Sequence, residues 1–312
     1  MIPVELKFPR WVELAICRLR WGSVVVVAIL LLLFSSGAPA QTSSHASALL
    51  VKRAAFESQL KARAFGEPLY LVSQEKDGRL EGDVYAELDQ SFARVSAVLG
   101  SADSVCEMLF LHLNIRSCKA TRANNVPQLA LSVGPKQAGS AASTYSMVYA
   151  MQVDAAETDY LGVKLSAPSG PLSTRDYAIV IEATPLGSER TFLHFGYAYT
   201  YGRLAKMAMG LYLATAGRTK IGFTVVGTSG DGQPQYVQGE RGSLERNVMR
   251  NYLALKAYSG VQTGTPQAQM EARFRAWFAL TERHAAQLHE LDLDQYLDEK
   301  HADLLRMGVP AH

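Results

Sequence analysis

The sequence predicts an α+β fold: one curved antiparallel sheet wrapped around a long carboxy-terminal helix, with an inserted apolar helix and extra carboxy-terminal helices. Three observations predict it. Four segments of alternating apolar and polar residues follow one another at hairpin spacing between Thr144 and Gly202. A strand pattern followed at once by two short helical patterns precedes them, over residues 80–110, and an amphipathic helical segment from Ser243 to Tyr258 follows them. The chain has 312 residues, 48% of them hydrophobic and 19% charged, which suits a globular core. Its formal net charge of +2 lacks the basic excess of a nucleic-acid binder.

The first element is a targeting segment. Lys7, Arg10, Arg18 and Arg20 precede the apolar run Val24 to Phe34, and Ala38-Pro39-Ala40 follows. A basic region, a short apolar region and an A-x-A site together predict an export signal over residues 1–40, cleaved after Ala40, and hence a periplasmic or secreted protein. The run is shorter than the roughly 20 residues of a bilayer span. An uncleaved anchor over Trp21 to Gly37 is the alternative. Residues 1–40 hold four basic and two acidic side chains, which leaves 27 of each sign beyond them. A neutral chain has no long-range pull toward phosphate or acidic membranes.

Cys17 falls in the signal, leaving Cys106 and Cys118. An even count in an oxidising compartment predicts a disulfide between them, with two buried free thiols as the other reading. Two sulfurs without CxxC spacing do not make a zinc site, and no metal or cofactor is expected.

Residues 41–79 read as a Ser/Ala-rich linker (41–48) and a helix from Leu49 to Phe65, closed by Gly66 and Pro68. Residues 80–89 alternate strictly, as a strand with one buried face does. Gln90 to Phe110 reads as two helices broken at Gly100. Further strands are expected at 111–119, 129–133, 144–154, 159–167, 175–186 and 190–202. Arg203 to Ala216 is a helix apolar on most sides, Met207 included, which reads as a lid, as a contact with a membrane surface or as an ordinary buried helix. Strands at 220–229 and 235–240 flank Gly230-Asp231-Gly232, and Gly260 stops the helix from Ser243. Residues 261–312 form a helical extension that opens at Thr265-Pro266, an N-cap followed by proline at N1.

The opening GDVYAELDQSFARVSAVLG, the strands from Tyr145 to Tyr201 and the closing SLERNVMRNYLALKAY resemble, in their order, the helix-grip fold of the START and Bet v 1-like (SRPBCC) superfamily over residues 80–260. The resemblance is topological and carries no diagnostic motif. It implies a cavity between sheet and long helix that binds a lipid or other apolar small molecule. The inserted helix and the extra carboxy-terminal helices depart from the plain pattern.

Candidate lining residues are Tyr145, Tyr149, Tyr177, Phe195, Tyr197, Tyr199 and Met207, because tyrosine pairs an apolar body with a polar tip. Alternation puts Phe195, Tyr197 and Tyr199 on one face and His194 on the other, and either face can be the inner one. Glu182 and His194 are candidate polar anchors or acid–base groups, set against a solvent-facing carboxylate and a satisfied histidine. Arg246 and Arg250 share a helix face and are candidates for an anionic head group at the mouth, set against a solvated face with local ion pairs. No nucleophile elbow, Walker A loop or GxGxxG is present. The function expected is an exported protein that binds or carries an apolar molecule or lipid. An enzyme on the same scaffold, cyclase- or hydrolase-like, and a non-catalytic envelope interaction module are the alternatives.

Overall fold

A computed structural model describes residues 43–134, 144–203, 205–207, 210 and 219–309. The expected signal (1–40), with Cys17, and most of the expected helix 203–216 lie outside the described residues.

Eight antiparallel strands form one sheet: β1 (Leu69–Lys76), β2 (Arg79–Leu88), β3 (Ile115–Ala123), β4 (Val126–Val133), β5 (Tyr145–Ala156), β6 (Leu161–Ser169), β7 (Arg175–Pro185) and β8 (Thr191–Thr200). Their order across the sheet is β1-β2-β8-β7-β6-β5-β4-β3. The chain therefore leaves β2, crosses to the far edge through helices α3 (Phe92–Leu99) and α4 (Ala102–Phe110), and returns strand by strand until β8 closes against β2. Gly100 separates the two helices as expected, and the Ser101 hydroxyl caps the second by accepting from the Ser104 N–H.

Side-chain period two sorts the strands into two faces. Leu80, Val84 and Ala86 of β2, Phe195 of β8, Ile179 and Ile181 of β7 and Leu165 of β6 all point to the concave side and join one apolar core. The long helix α5 (Gly239–Gly260) lies in that concavity. Gly82 allows the close approach: a Cβ there would meet Val248 at 2.9 Å and Leu244 at 3.1 Å. Glu245, fully buried on this helix, accepts from the backbone N–H groups of Phe223 (2.6 Å) and Thr224 (2.9 Å) and from the hydroxyls of Ser73 and Thr224. This carboxylate fixes the chain that enters the helix.

The far side of α5 is covered too. Helices α6 (Pro266–Glu282), α7 (Ala285–Leu288) and α8 (Leu293–Arg306) pack there through Phe274, Trp277 and Tyr296. Thr265 caps α6 with Pro266 at its first position, as expected. Cys106 of α4 and Cys118 of β3 form a disulfide with a Cα–Cα distance of 5.4 Å.

The strand expected at 111–119 begins only at Ile115, and three further differences are larger. The linker over 41–48 is helical from Ser44: α1 (Ser44–Ala55) starts on a Ser43 cap and, with α2 (Glu57–Ala62), lies on the convex face of the sheet. Ala46, Leu49 and Leu60 pack there against Tyr85, Tyr160 and Phe192. Strand β1 was not expected at all; it pairs with β2 through the Asp77-Gly78 turn, where both residues have positive φ. The strands expected at 220–229 and 235–240 shrink to β9 (Val225–Thr228) and β10 (Pro234–Tyr236), which form their own ribbon outside the main sheet.

Candidate functional site

Sheet curvature leaves space that α5 does not fill. A cavity of about 440 Å³ lies between the concave face and the helix. Leu109, Ile115, Leu131, Met147 and Ile179 give it an apolar floor, and Tyr149, Tyr177, Tyr197, Tyr199 and Tyr201 give it an aromatic wall. Tyr149 of β5, Tyr177 of β7 and Tyr197 and Tyr199 of β8 share this face: Tyr177 and Tyr199 are 5.2 Å apart and nearly parallel, and Tyr149 meets Tyr177 edge-on at 6.3 Å. Gly170 makes room for this arrangement, because a Cβ there would lie 2.4 Å from the Tyr177 ring.

Burial keeps the phenols of Tyr149, Tyr177, Tyr197 and Tyr199 protonated, with pKa values pushed above the ordinary tyrosine value. They act as neutral donors and acceptors. The Tyr177 hydroxyl shares a 2.7 Å hydrogen bond with Thr174, which anchors the turn at Pro171. From the helix side, Asn247 and Asn251 face the cavity one turn apart. His112 lines the other side and accepts the Asn114 N–H at Nδ1, 3.1 Å away. Leu172, more than half exposed, stands at the mouth.

Of the candidates named from sequence, Tyr149, Tyr177, Tyr197 and Tyr199 lie together on this wall. The others lie elsewhere. Phe195 is on the concave face but fully buried in the core shared with α5. Tyr145, at the start of β5, and Met207 are exposed and do not line the cavity. Arg246 and Arg250 are neither at a mouth nor on a solvated face; both are almost fully buried. Arg246 donates to the Ile221 carbonyl at 3.1 Å, and Arg250 donates to the Leu288 carbonyl and to Glu290 at 2.9 Å. The reason is that the segment at Ile221 and the chain at Leu288 to Glu290 cover the side of the helix that the sequence pattern leaves open.

Glu182 and His194 sit on the opposite, convex face, under α1. His194 faces Glu182 with Nδ1 and Asp83 with Nε2, each at 2.7 Å, and stacks on Tyr85 at 4.5 Å. Carboxylates only accept, so both ring nitrogens donate and the ring is an imidazolium. Burial alone pushes the His194 pKa down, but the hydrogen bonds and charges of Asp83 and Glu182 prevail and raise it. Glu182 is held at about 2, first by the His194 hydrogen bond, then by Tyr160 (2.8 Å) and Lys52 of α1 (3.2 Å), against its burial. This cluster ties α1 to the sheet and does not reach the cavity.

Asn247, Asn251, Thr174 and Glu240 also line the cavity and are not among the candidates named from sequence. Two asparagines at i,i+4 on the inner side of a buried helix were the available signal.

No family model and no curated protein matches the chain. Among solved structures, it is similar to human StAR-related lipid transfer protein 5, at 12% identity over 54% of this chain and 90% of that one, with a TM-score of 0.30. It is also similar to the Zhui aromatase/cyclase from Streptomyces sp. R1128 (14% identity, 78% and 99%, TM-score 0.27) and to Ara h 8.0201 (8% identity, 48% and 91%, TM-score 0.28). At these levels the assignment rests on the chain's own topology. A strand, two crossing helices, a returning antiparallel meander and a long helix held in its concavity give this chain the topology of the START and Bet v 1-like helix-grip fold, with β1, α1 and α6 to α8 added around it.

Proposed function

We propose that this is an exported protein that binds or carries a lipid or another apolar small molecule in the cavity between sheet and helix. One observation carries the reading: a space of about 440 Å³ with an apolar floor and a wall of neutral tyrosines, within the size range of small-molecule sites. Of the candidates named from sequence that an enzyme on this scaffold could use, Glu182 and His194 lie on the outer face, where Glu182 accepts from Lys52 of α1, and only the tyrosines line the cavity. The export reading rests on residues 1–40 and predicts a mature amino terminus at Gln41 in the periplasmic fraction or the medium.

The test is native mass spectrometry of protein purified from its own host. The expected result is a bound adduct, lost on organic extraction and replaced by a neutral apolar probe such as N-phenyl-1-naphthylamine. Protein that arrives without an adduct and takes up no probe overturns the carrier reading.

A further inference from the structure

Electrostatics narrows what the cavity can hold. Glu240, in the first turn of α5, lines the cavity beside Tyr199 and Tyr201. Its charge adds to the rise of both phenol pKa values, after burial for Tyr199 and after the Glu75 hydrogen bond that takes Tyr201 to about 12. Its side chain is half-buried, and among the described residues it has no ion-pair or hydrogen-bond partner. The neighbouring cation is committed elsewhere: Arg241 donates to Ser73 at 2.7 Å and leans toward Glu245. Glu240 is the one charged carboxylate on the described wall, and no lysine or arginine lines it. His112 faces the cavity far from this end. It packs near Trp277, whose indole donates to the Arg250 carbonyl, and ten residues of helix separate Glu240 from Arg250, roughly 15 Å.

A carboxylate on an otherwise apolar and aromatic wall, with no cation beside it, is open to pair with a positive group that a ligand brings. The rings of Tyr199 and Tyr201 on the same stretch of wall supply a second attraction for positive charge, stronger as the site dries. An anionic head would meet Glu240 and the negative ring faces together.

We infer that the cavity takes a cation-bearing apolar molecule, an amine or quaternary ammonium on an apolar body, with Glu240 as counter-ion and the rings of Tyr199 and Tyr201 flanking the charge. This rests on the ligand-cavity reading above and adds the charge of the ligand.

The experiment uses three probes with one naphthyl body: (naphthylmethyl)trimethylammonium, its neutral isostere neopentylnaphthalene, and naphthylacetate. Each is titrated by calorimetry into delipidated mature protein and into Glu240→Gln. The expected result is that the cation binds at least tenfold more tightly than the neutral isostere and the anion most weakly. Glu240→Gln brings cation and isostere within threefold of each other and leaves the isostere's affinity unchanged. Equal binding of cation and isostere by the unaltered protein overturns the inference, and that comparison needs no variant to fold. A cation preference that survives Glu240→Gln overturns the role of this residue. Failure of all three probes to bind overturns the ligand-cavity reading itself, and is thereby distinguished from binding without charge preference.

Discussion

At the scale of single residues, His194 and Lys300 pull stability in opposite directions with pH. The raised pKa of His194 means that the folded protein holds its proton more tightly than the unfolded chain. Its contribution is complete below about 6.5, the ordinary histidine value, and is lost as pH rises through the folded value. Lys300 behaves inversely. Burial lowers its pKa to about 7, against the pull of Asp303, while it donates to the carbonyls of His112 (3.0 Å) and Ile115 (2.8 Å). The unfolded chain keeps that proton to the ordinary lysine value, so stability from Lys300 rises with pH between about 7 and 10.4. The two contributions therefore have opposite signs, and a variant comparison is needed to read either one. Urea denaturation of wild type and His194→Gln at several pH values isolates the first: the stability difference should be largest near pH 6 and shrink by pH 9. A difference that does not change over that range would show that the ring is not an imidazolium in the folded protein. His194 illustrates what alternation withholds. Period two separates the faces of a strand but does not say which one is inside. Its cross-strand partners Tyr85 and Glu182 become visible only with the register.

At the scale of elements, legibility followed the strength of the local pattern. The strands from β5 to β8 and the Gly100 break were readable, because alternation and a helix breaker are local signals. Strand β1 escaped because Gln74, Glu75 and Lys76 dilute its apolar alternation, although Asp77-Gly78 marked the hairpin. The start of α1 looked like a linker because serines and alanines, not large apolar residues, form its first turn. Ala46 is nonetheless fully buried, in the cluster that joins α1 to Tyr85, Tyr160 and Phe192 of the sheet. The Cys106–Cys118 bond joins α4 to β3 across a short segment that includes the cavity-lining His112, Asn114 and Ile115. The two cysteines are 12 positions apart, and a loop near this length stabilises by about 3 kcal/mol through the unfolded state. Cys106→Ser/Cys118→Ser should therefore lower the unfolding free energy by up to about 3 kcal/mol in urea titrations. A loss below about 0.5 kcal/mol would mean that the native segment is held by its packing alone.

At the scale of the whole molecule, the cavity sets packing against the proposed function. Voids are expensive in close-packed interiors, at about 24 cal/mol per Å³ in core truncations. A sheet and helix selected only for stability would close this one, and the surrounding residues show that closing it is chemically easy. Ile179 faces it from β7, flanked by Leu165 and Tyr197 across the strands. Replacing it by phenylalanine extends an apolar ring into open space without disturbing a hydrogen bond. Two outcomes follow from two descriptions of the interior. If the space belongs to a ligand, Ile179→Phe should raise the unfolding free energy of delipidated protein by about 0.5–1 kcal/mol, the return for some tens of Å³ filled. It should also weaken N-phenyl-1-naphthylamine binding at least tenfold. If the interior is in practice solid, the added ring overpacks it and costs about 1–3 kcal/mol. The sign of a single stability difference, measured by urea denaturation on ligand-free protein, thus separates a cavity kept open at the expense of stability from a core that only looks hollow.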